Sequence, residues 1–348
     1  MIRTLGYGVQ HPTASVAPFE FERRNPGPRD VLVDIAFCGV CHSDIHQARD
    51  EWGGSIFPMV PGHEIVGTVS AVGSDVRTWK QGDTVGVGVY VDSCRKCAAC
   101  EAGEGQYCER GASWTYNGYE QDGTTPTYGG YSARITVDED YVLRIPAGMD
   151  PAAAAPLMCA GITTYSPLRH FGVKAGDRLA VMGLGGLGHM AVKFGRALGV
   201  EVTVLSHSPG KRDDALRLGA GDFVVMRSPE SFDANEKRFD FILDTVSAVH
   251  DYNEYLSLLR LDGTMMLVGI PDPSPLKASA LISARRRLTG SNIGGVRETQ
   301  EMLDFCAEHE IVSDVEVIPI QQINDAWERT IRSDVRYRFV IDMATLAG

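Results

Sequence analysis

The chain has 348 residues, enough for two domains that each bury a core of their own. Its hydrophobic and charged contents, 44% and 22%, are those of an ordinary globular protein, and no long uncharged apolar run predicts a membrane span. The net charge of -12 would repel nucleic acid and anionic membrane surfaces. The first residues lack the apolar run of a secretory signal, so we expect a cytoplasmic protein.

The first 150 residues contain short, glycine-punctuated runs such as DVLVDIAFCG, IVGTVSAVG and DTVGVGVYV, which predict a β-rich domain. Two motifs within it, CGVCHSDIH and PMVPGHEIVG, supply Cys41, His63 and Glu64, and PLMCAGITTY adds Cys159. Two cysteines and a histidine leave the fourth position of a zinc ion open to water or substrate, as in catalytic zinc sites. Each residue alone has an ordinary alternative as a core or surface residue, so the prediction depends on their combination.

Half of the eight cysteines lie in the segment CRKCAACEAGEGQYC. They are Cys94, Cys97, Cys100 and Cys108. Disulfides rarely persist in a reducing cytoplasm, and four thiolates at this spacing can close a tetrahedral shell, so we expect a structural zinc. Scattered surface thiols are the alternative. A nucleic-acid-binding zinc ribbon is disfavoured by the neighbouring glutamates and the acidic balance of the chain.

A βαβ unit follows at residues 178–206, RLAVMGLGGLGHMAVKFGRALGVEVTVLS. Its first turn carries the pattern G-x-G-x-x-G between a strand and a helix. Glycines there let the backbone turn tightly and approach a pyrophosphate at the helix N-terminus, which predicts dinucleotide binding. The cofactor-binding candidates of the turn are Gly183, Gly185, Gly186, Leu187 and Gly188.

The end of the second strand of this unit indicates which dinucleotide is bound. Sites that prefer NAD usually place a carboxylate there for the ribose 2′-hydroxyl, whereas this chain has Ser206. His207, Ser208, Lys211 and Arg212 follow, so two hydroxyls and two cations are available for a 2′-phosphate. A solvated helix start is the alternative for the two cations. The sequence favours NADP(H).

The same alternation continues with GDFVVM, FDFILDTV, TMMLVGI and the segment around LTGSNIGG as strands, and HDYNEYLSLLRL as a helix between them. Six strands in series predict a doubly wound parallel sheet. ETQEMLDFCAEHE predicts a helix and RYRFVIDM a final strand. The expected fold class is therefore α/β, a β-rich domain joined to a Rossmann-type sheet.

Taken together, these motifs resemble the zinc-dependent medium-chain alcohol dehydrogenases, and most of all their cinnamyl alcohol dehydrogenase group. The resemblance runs through CGVCHSDIHQ, FPMVPGHEIVG, the four-cysteine segment, PLMCAGITTYSPL, GLGGLGHM and SDVRYRFVID. It implies a GroES-like catalytic domain over residues 1–153, with a structural-zinc lobe at about 94–108, and a Rossmann NADP-binding domain over 154–294. Residues 295–348 would return to the catalytic domain. Two zinc ions per subunit and a homodimer are implied as well.

The resemblance also assigns roles to residues. The catalytic zinc would be held by Cys41, His63 and Cys159, with Glu64 as an alternating or fourth ligand, which is the Cys₂His set already known from alcohol dehydrogenases. Ser43 resembles the relay hydroxyl, His46 the outer end of the proton relay, and Asp44 the carboxylate that fixes the His63 tautomer. An ordinary turn or helix-cap role is the alternative for Asp44. His42 lies where many relatives carry a basic residue near the pyrophosphate.

The implied activity is hydride transfer between NADP(H) and a primary alcohol or aldehyde. The substrate pocket would include Gln47, Trp52, Val89, Trp114 and Ile270, and two tryptophans favour flat aromatic or unsaturated substrates of broad range. Packing of the protein itself is the alternative for each tryptophan. An NAD-linked polyol dehydrogenase or a zinc-free reductase on the same scaffold stays open, and a non-enzymatic zinc-ribbon module is the remote alternative. We expect small-molecule substrates, with neither nucleic acid nor membrane as a partner.

Overall fold

The computed structural model describes residues 1–347. By its internal contacts the chain divides into two compact units. The first unit is Met1–Ile162 together with the chain from Gly294 onward, and the second is Thr163–Ile293. Within residues 1–347, every helix is too short or too polar to cross a membrane.

Short strands dominate the chain up to residue 162. They are β1 (Ile2–Gly8), β2 (Ala17–Arg23), β3 (Asp30–Gly39), β4 (Ile65–Val72), β5 (Thr84–Val87), β6 (Tyr90–Asp92), β7 (Ser113–Trp114), β8 (Gly118–Tyr119), β9 (Pro126–Thr127), β10 (Arg134–Asp138) and β11 (Val142–Arg144). The helices here are α1 (His42–Ala48), α2 (Ala98–Glu101) and α3 (Pro151–Ala154), with 3₁₀ turns at Gly105–Tyr107, Glu139–Tyr141 and Ala155–Met158. Helix α4 (Ala160–His170) leads into the second unit.

The second unit is a six-stranded parallel sheet with helices between the strands. Its strands are β12 (Arg178–Met182), β13 (Glu201–Ser206), β14 (Asp222–Val225), β15 (Phe239–Asp244), β16 (Leu259–Leu267) and β17 (Arg287–Gly290). Its helices are α5 (Gly188–Ala197), α6 (Arg212–Leu218), α7 (Pro229–Asp233), α8 (Tyr252–Ser257) and α9 (Ala278–Ile282), with a 3₁₀ turn at Pro209–Lys211. The strand order is β14-β13-β12-β15-β16-β17.

This order reverses at β12, the first strand, which is the topology of a doubly wound dinucleotide-binding sheet. Four of the five residues of β12 are buried, as expected for a strand covered on both faces. The core beneath the sheet is formed by buried side chains that include Met182, Leu205, Phe239, Leu256 and Met265.

The last part of the chain completes the first unit. It consists of α10 (Val296–Glu308), β18 (Val315–Pro319), α11 (Ile323–Ile331) and β19 (Arg338–Asp342), with 3₁₀ turns at Ile320–Gln322 and Met343–Ala347. Strand β19 pairs antiparallel with β3 and parallel with β18, so the sheet runs β11-β5-β4-β3-β19-β18, and β10 also pairs with β3. Residues far apart in sequence are therefore neighbours in one β-rich body.

The structure differs from the sequence predictions at two elements. The helix predicted over HDYNEYLSLLRL ends at Ser257, because the following leucines begin β16 and hydrogen-bond to the sheet. The single strand predicted over DTVGVGVYV is interrupted between β5 and β6, which belong to different sheets. The predicted domain limits at residues 153 and 294 stay a prediction, because compactness alone does not define a binding domain.

Candidate functional site

The four-cysteine segment folds into a compact loop in which its thiols converge. The sulfur atoms of Cys94, Cys97, Cys100 and Cys108 all lie within 4.8 Å of one another. Helix α2 begins after Cys97 and carries Cys100, and the 3₁₀ turn Gly105–Tyr107 ends at Cys108. Four thiols that converge without forming a disulfide fit a closed tetrahedral zinc shell.

Hydrogen-bond donors surround these sulfur atoms. The backbone N–H of Cys94 donates to Cys108 Sγ, and that of Glu109 donates to Cys97 Sγ. The buried hydroxyl of Ser93 lies 3.2 Å from Cys100 Sγ. Backbone N–H groups beside Cys94 lower the pKa of its thiol to about 6. The thiolate, the form that binds metal, is thus favoured at Cys94 and Cys97, whereas burial raises the pKa of Cys100 to about 11.

A second set of ligand atoms converges deep in the first unit. Cys41, His63, Glu64 and Cys159 are all buried, and their ligand atoms lie within 4.8 Å of one another. Cys41 is the residue at which α1 begins, and His63 and Glu64 directly precede β4. Cys159 lies between a 3₁₀ turn and α4. Folding therefore brings together, from three separate segments, the ligand types that the sequence predicted.

Asp44 connects this set through hydrogen bonds. Its Oδ1 accepts from the Gly62 N–H and lies 3.1 Å from His63 Nδ1. Its Oδ2 accepts from the Cys41 N–H at 2.9 Å and from the Tyr131 hydroxyl at 3.3 Å. Four donors occupy the carboxylate, which has about four lone-pair positions. Because Nδ1 of His63 donates to Asp44, Nε2 is the nitrogen left to bind a metal.

Glu64 brings a second buried carboxylate to the same place. Its Oε1 accepts a hydrogen bond from Arg338 Nη2, while its Oε2 has no hydrogen-bond partner among residues 1–347. Burial raises the pKa of Glu64 to about 8, against the opposing charge of Arg338. A Cβ on Gly39 would lie 2.0 Å from Oε2, so glycine at this position leaves room for the carboxylate.

The donor set fits zinc. A hydrogen bond from Cys159, together with His63 and the charge of Arg338, holds the pKa of Cys41 well below its usual range, which favours a thiolate. Two sulfurs and one imidazole are soft and borderline ligands that zinc prefers, and a carboxylate oxygen of Glu64 within 4.8 Å of them is available as a further ligand. A bound cation would also offset the cost of burying Glu64 Oε2 without a partner.

The glycine-rich turn of the second unit has the geometry of a phosphate cradle. Gly183 follows β12 with φ +82°, a conformation that favours glycine. A Cβ on Gly188, at the start of α5, would lie 2.2 Å from the Gly183 carbonyl oxygen, whereas a Cβ on Gly185 would meet nothing within 4 Å. The backbone at Gly185 is therefore open to a ligand at the N-terminus of α5.

Comparisons with known proteins agree with both sites. Residues 27–147 match the alcohol dehydrogenase GroES-like domain, and residues 186–308 match the zinc-binding dehydrogenase domain. The NADP-dependent alcohol dehydrogenase C of Mycobacterium tuberculosis is 54% identical over 99% of this chain and 100% of its own length. The chain belongs to the zinc-dependent medium-chain alcohol dehydrogenases. Aldehyde reductase YahK of Escherichia coli is 51% identical over 99% of each chain.

Solved structures identify the cinnamyl alcohol dehydrogenase group of this family as the relevant one. A cinnamyl alcohol dehydrogenase from Sorghum bicolor has a TM-score of 0.96 and 45% identity, covering 99% of this chain and 98% of its own. The enzyme from Helicobacter pylori, solved with NADP(H), has a TM-score of 0.93 and 39% identity, covering 99% of each chain. The predicted α/β fold, a GroES-like domain plus a Rossmann sheet, is confirmed.

In this dehydrogenase, helix α1 and the loop after it carry the residues predicted to relay a proton. Ser43 Oγ lies 3.6 Å from Cys41 Sγ. His46 Nδ1 lies 2.5 Å from a Glu51 carboxylate oxygen, and the Trp52 ring stacks on the imidazole with centroids 4.9 Å apart. His42 precedes them on the exposed side of the helix. The roles of Ser43 and His46 in proton transfer stay predictions, as does the contact of His42 with the pyrophosphate.

The predicted pocket residues fall into both units of the dehydrogenase. Gln47 accepts a hydrogen bond from Asn117, and Trp114 meets the ring of Tyr90 edge-on. The Val89 carbonyl accepts from the Thr115 N–H. Trp52 is 40% exposed, and Ile270, in the second unit, is 63% exposed. A substrate-binding role stays a prediction for all five pocket residues.

The end of β13 corrects one interpretation. Lys211 Nζ donates to the Leu184 carbonyl in the glycine turn, and the Ser208 N–H donates to Ser206 Oγ. Arg212 does not belong to this group, because its guanidinium donates to the Phe223 carbonyl and lies over the Phe223 ring. Sequence order alone suggested that Lys211 and Arg212 act together, but α6 turns the second side chain toward β14.

Three buried residues of the metal site were missed from the sequence. Arg338, on β19, contacts Glu64. Tyr131, which follows two glycines in the sequence, contacts Asp44. The Tyr116 ring stacks on the His63 imidazole, with centroids 5.7 Å apart. The available signal for Arg338 was a single cation in the apolar strand RFVID. A buried strand admits such a residue when a carboxylate lies opposite.

Proposed function

We propose that the chain is a zinc-dependent, NADP(H)-linked alcohol dehydrogenase and aldehyde reductase that acts on primary alcohols and aldehydes. The main support is the buried convergence of Cys41, His63 and Cys159, with Glu64 beside them. Three such ligands leave room at the metal for a substrate oxygen. When bound, zinc supplies Lewis acidity toward that oxygen, and NADP(H) supplies or accepts the hydride. The closed Cys₄ loop holds the second, structural zinc.

The residues around the open site orient its ligands and move the proton. Asp44 holds the Nδ1 proton of His63 and so directs Nε2 to the metal. Ser43 Oγ passes a proton between the substrate hydroxyl and the next group of the relay. His46 takes that proton at Nε2, since its Nδ1 faces Glu51. Burial of the ligand set excludes bulk water from the reacting atoms.

NADP(H) is the proposed cofactor. The Mycobacterium tuberculosis relative is named NADP-dependent, and the Helicobacter pylori structure contains NADP(H). The pyrophosphate would lie against the glycine-rich turn, which consists of Gly183, Gly185, Gly186, Leu187 and Gly188. His42 would be a further contact. The 2′-phosphate would be bound by Ser206, His207, Ser208 and Lys211, because hydroxyl and cationic groups stand here in place of the carboxylate that NAD sites use.

The proposed substrates are aromatic and unsaturated aldehydes and alcohols, over a broad range. Trp52 and Trp114 offer flat apolar surfaces, and Gln47 and Val89 lie on the same unit. The aldehyde reductase and cinnamyl alcohol dehydrogenase names among the relatives support this class.

The organisation of the enzyme follows the same proposal. Residues 1–153 and 295–348 form the catalytic domain, and residues 154–294 form the NADP-binding domain. Homodimerisation is supported by β17, which ends the six-stranded sheet with one side unpaired, and by Ile282 before it, 76% exposed. A dimer doubles the chain mass of 37.8 kDa in light scattering. Eight cysteines without a disulfide support a reducing, cytoplasmic location.

Steady-state kinetics of the zinc-loaded enzyme test the proposal. Cinnamaldehyde and benzaldehyde should be reduced with NADPH at least about tenfold more efficiently than with NADH, a difference of about 1.4 kcal/mol. Metal analysis should find about two zinc ions per chain, and Cys159→Ser should lose the catalytic zinc with its activity. Equal efficiency with both cofactors would contradict the NADP(H) assignment. Loss of zinc without loss of reduction would favour a zinc-free reductase.

A further inference from the structure

The carboxyl ends of β13 and β14 lie side by side at one edge of the parallel sheet. Ser206, the last residue of β13, pairs with Val225 of β14, and the Met226 N–H donates to the Ser206 carbonyl. The next residue, Arg227, therefore lies beside His207. Arg227 Nε donates to the His207 carbonyl at 2.6 Å, which fixes the base of the guanidinium against the turn after β13.

This arginine differs from most arginines on the surface. It is exposed, and across residues 1–347 no carboxylate oxygen forms an ion pair with it. Its bond to His207 uses Nε and leaves both terminal nitrogens as donors. In a chain of net charge -12, an unpaired cation that donates to the backbone carbonyl of His207, just after β13, is positioned for an anion.

The other side chains around this turn have partners of their own. Lys211 reaches from the turn to the Leu184 carbonyl, so its charge lies near the glycine turn. Arg212 is held by Phe223. The His207 ring faces the Tyr255 hydroxyl, with Nε2 3.3 Å away. Lys211 thus lies toward the glycine turn, and Arg227, from the segment after β14, lies beside His207.

We propose that Arg227 is a specificity-determining residue that binds the ribose 2′-phosphate of NADP(H). The inference rests on the proposed NADP(H) dependence and adds a residue from the segment after β14 to that site. A guanidinium with two free terminal nitrogens matches the oxygens of a phosphate monoester, and such bonds are stronger and more directional than those of an ammonium group. NAD(H) lacks the group that this side chain binds.

Direct binding of two cofactor fragments tests the proposal without any catalytic step. The probes are 2′,5′-ADP and 5′-AMP, which differ in the 2′-phosphate and lack the nicotinamide, titrated into the zinc-loaded protein by calorimetry. The wild type should prefer 2′,5′-ADP. Arg227→Ala should weaken 2′,5′-ADP binding about tenfold and leave 5′-AMP binding unchanged, and Arg227→Lys should recover part of the loss.

Arg212→Ala is the matched control, since it removes a neighbouring arginine that is held by Phe223. It should keep the wild-type ratio of the two affinities. If Arg227→Ala also keeps that ratio while the wild type discriminates, the role of Arg227 is overturned and the NADP(H) proposal stands. If the wild type binds both fragments equally, the NADP(H) proposal fails and the inference fails with it.

Discussion

Arg338 Nη2 lies 2.5 Å from Glu64 Oε1, and both side chains are almost completely buried, at 6% and 0% exposure. The same nitrogen donates to the Val40 carbonyl, next to Cys41. The pair joins β19 to the segment that carries His63, across 274 positions of sequence. The C-terminal part of the chain is therefore part of the metal site.

Removal of Arg338 should destabilise the protein strongly. Arg338→Met leaves Glu64 buried without its cation, a type of change that typically costs about 3–5 kcal/mol. The free energy of unfolding, measured by urea titration, checks this. Arg144→Met breaks an exposed ion pair with Asp304 in the same unit and should cost less than about 1 kcal/mol. A similar loss in both variants would contradict a special role for the buried pair.

Substitution of Asp44 should weaken metal binding at the open site. Asp44→Asn keeps the shape of the side chain but replaces one carboxylate oxygen by an NH₂ group, which donates instead of accepting. In either orientation of the amide, this group faces an N–H donor, that of His63 or that of Cys41. Loss of such a supporting carboxylate typically lowers metal affinity about 10- to 100-fold. Competition with a chromophoric chelator measures this, with Asp34→Asn, an exposed carboxylate on β3, as the control. Unchanged zinc affinity would refute the positioning role.

The hydroxyl beside Cys100 should matter for metal retention in the cysteine loop. Tyr141 OH lies 2.8 Å from Ser93 Oγ, which in turn lies 3.2 Å from Cys100 Sγ. The Cys100 thiol donates to Ser93 in this structure, but a zinc-bound thiolate has no proton and can only accept from the Ser93 hydroxyl. Ser93→Ala removes that donor, so zinc should leave this loop about tenfold faster, equivalent to about 1.4 kcal/mol. Tyr141→Phe should have a smaller effect, since Tyr141 acts through Ser93.

Ser113→Ala is a suitable control for that measurement. Ser113 is buried near the loop, on β7, but its hydroxyl accepts from Gln121 and does not contact a cysteine. Release of one zinc per chain is followed with a chromophoric chelator, and the cobalt-substituted protein reports the thiolate environment by its absorption. If Ser93→Ala and Ser113→Ala release zinc at the same rate, the hydroxyl has no specific role.

The sequence was a good guide to local features. Strands of the parallel sheet are short buried runs whose ends are marked by turn residues, and the glycine turn lies between β12 and α5 as predicted. The metal ligands could be named because cysteine and histidine have few other uses at such spacings. The end of α8 could not be predicted, because the leucines that follow it suit a helix and a strand equally well.

Contacts that depend on tertiary structure were beyond the sequence. Arg338 meets Glu64 only because β19 pairs with β3. Arg212, which follows Lys211 in sequence, contacts Phe223, whereas Arg227, 20 residues after His207, contacts the His207 carbonyl, since the direction of a helix and the register of two parallel strands decide where each lies. Such relationships follow from strand order, which no local pattern encodes.

His250 should make stability depend on pH. Its Nε2 lies 2.9 Å from an oxygen of buried Asp244 and its Nδ1 lies 2.8 Å from the Ala248 carbonyl, so only the protonated ring donates to both. Burial alone would lower the pKa of His250, but the negative charge of Asp244, with a contribution from Asp251, has the larger effect and raises this pKa. The rings of Tyr252 and Tyr255 pack against the imidazole. A raised pKa in the folded state stabilises the protein. This contribution to the unfolding free energy is fully present below about pH 6.5 and is lost as the pH rises through the pKa of the folded state.

Wild type and His250→Gln should therefore differ more in unfolding free energy at pH 6 than at pH 9, with exposed His170→Gln as the control. A difference that is constant with pH would mean that folding does not shift the pKa of His250, and a larger difference at pH 9 would mean that the folded protein holds the ring neutral.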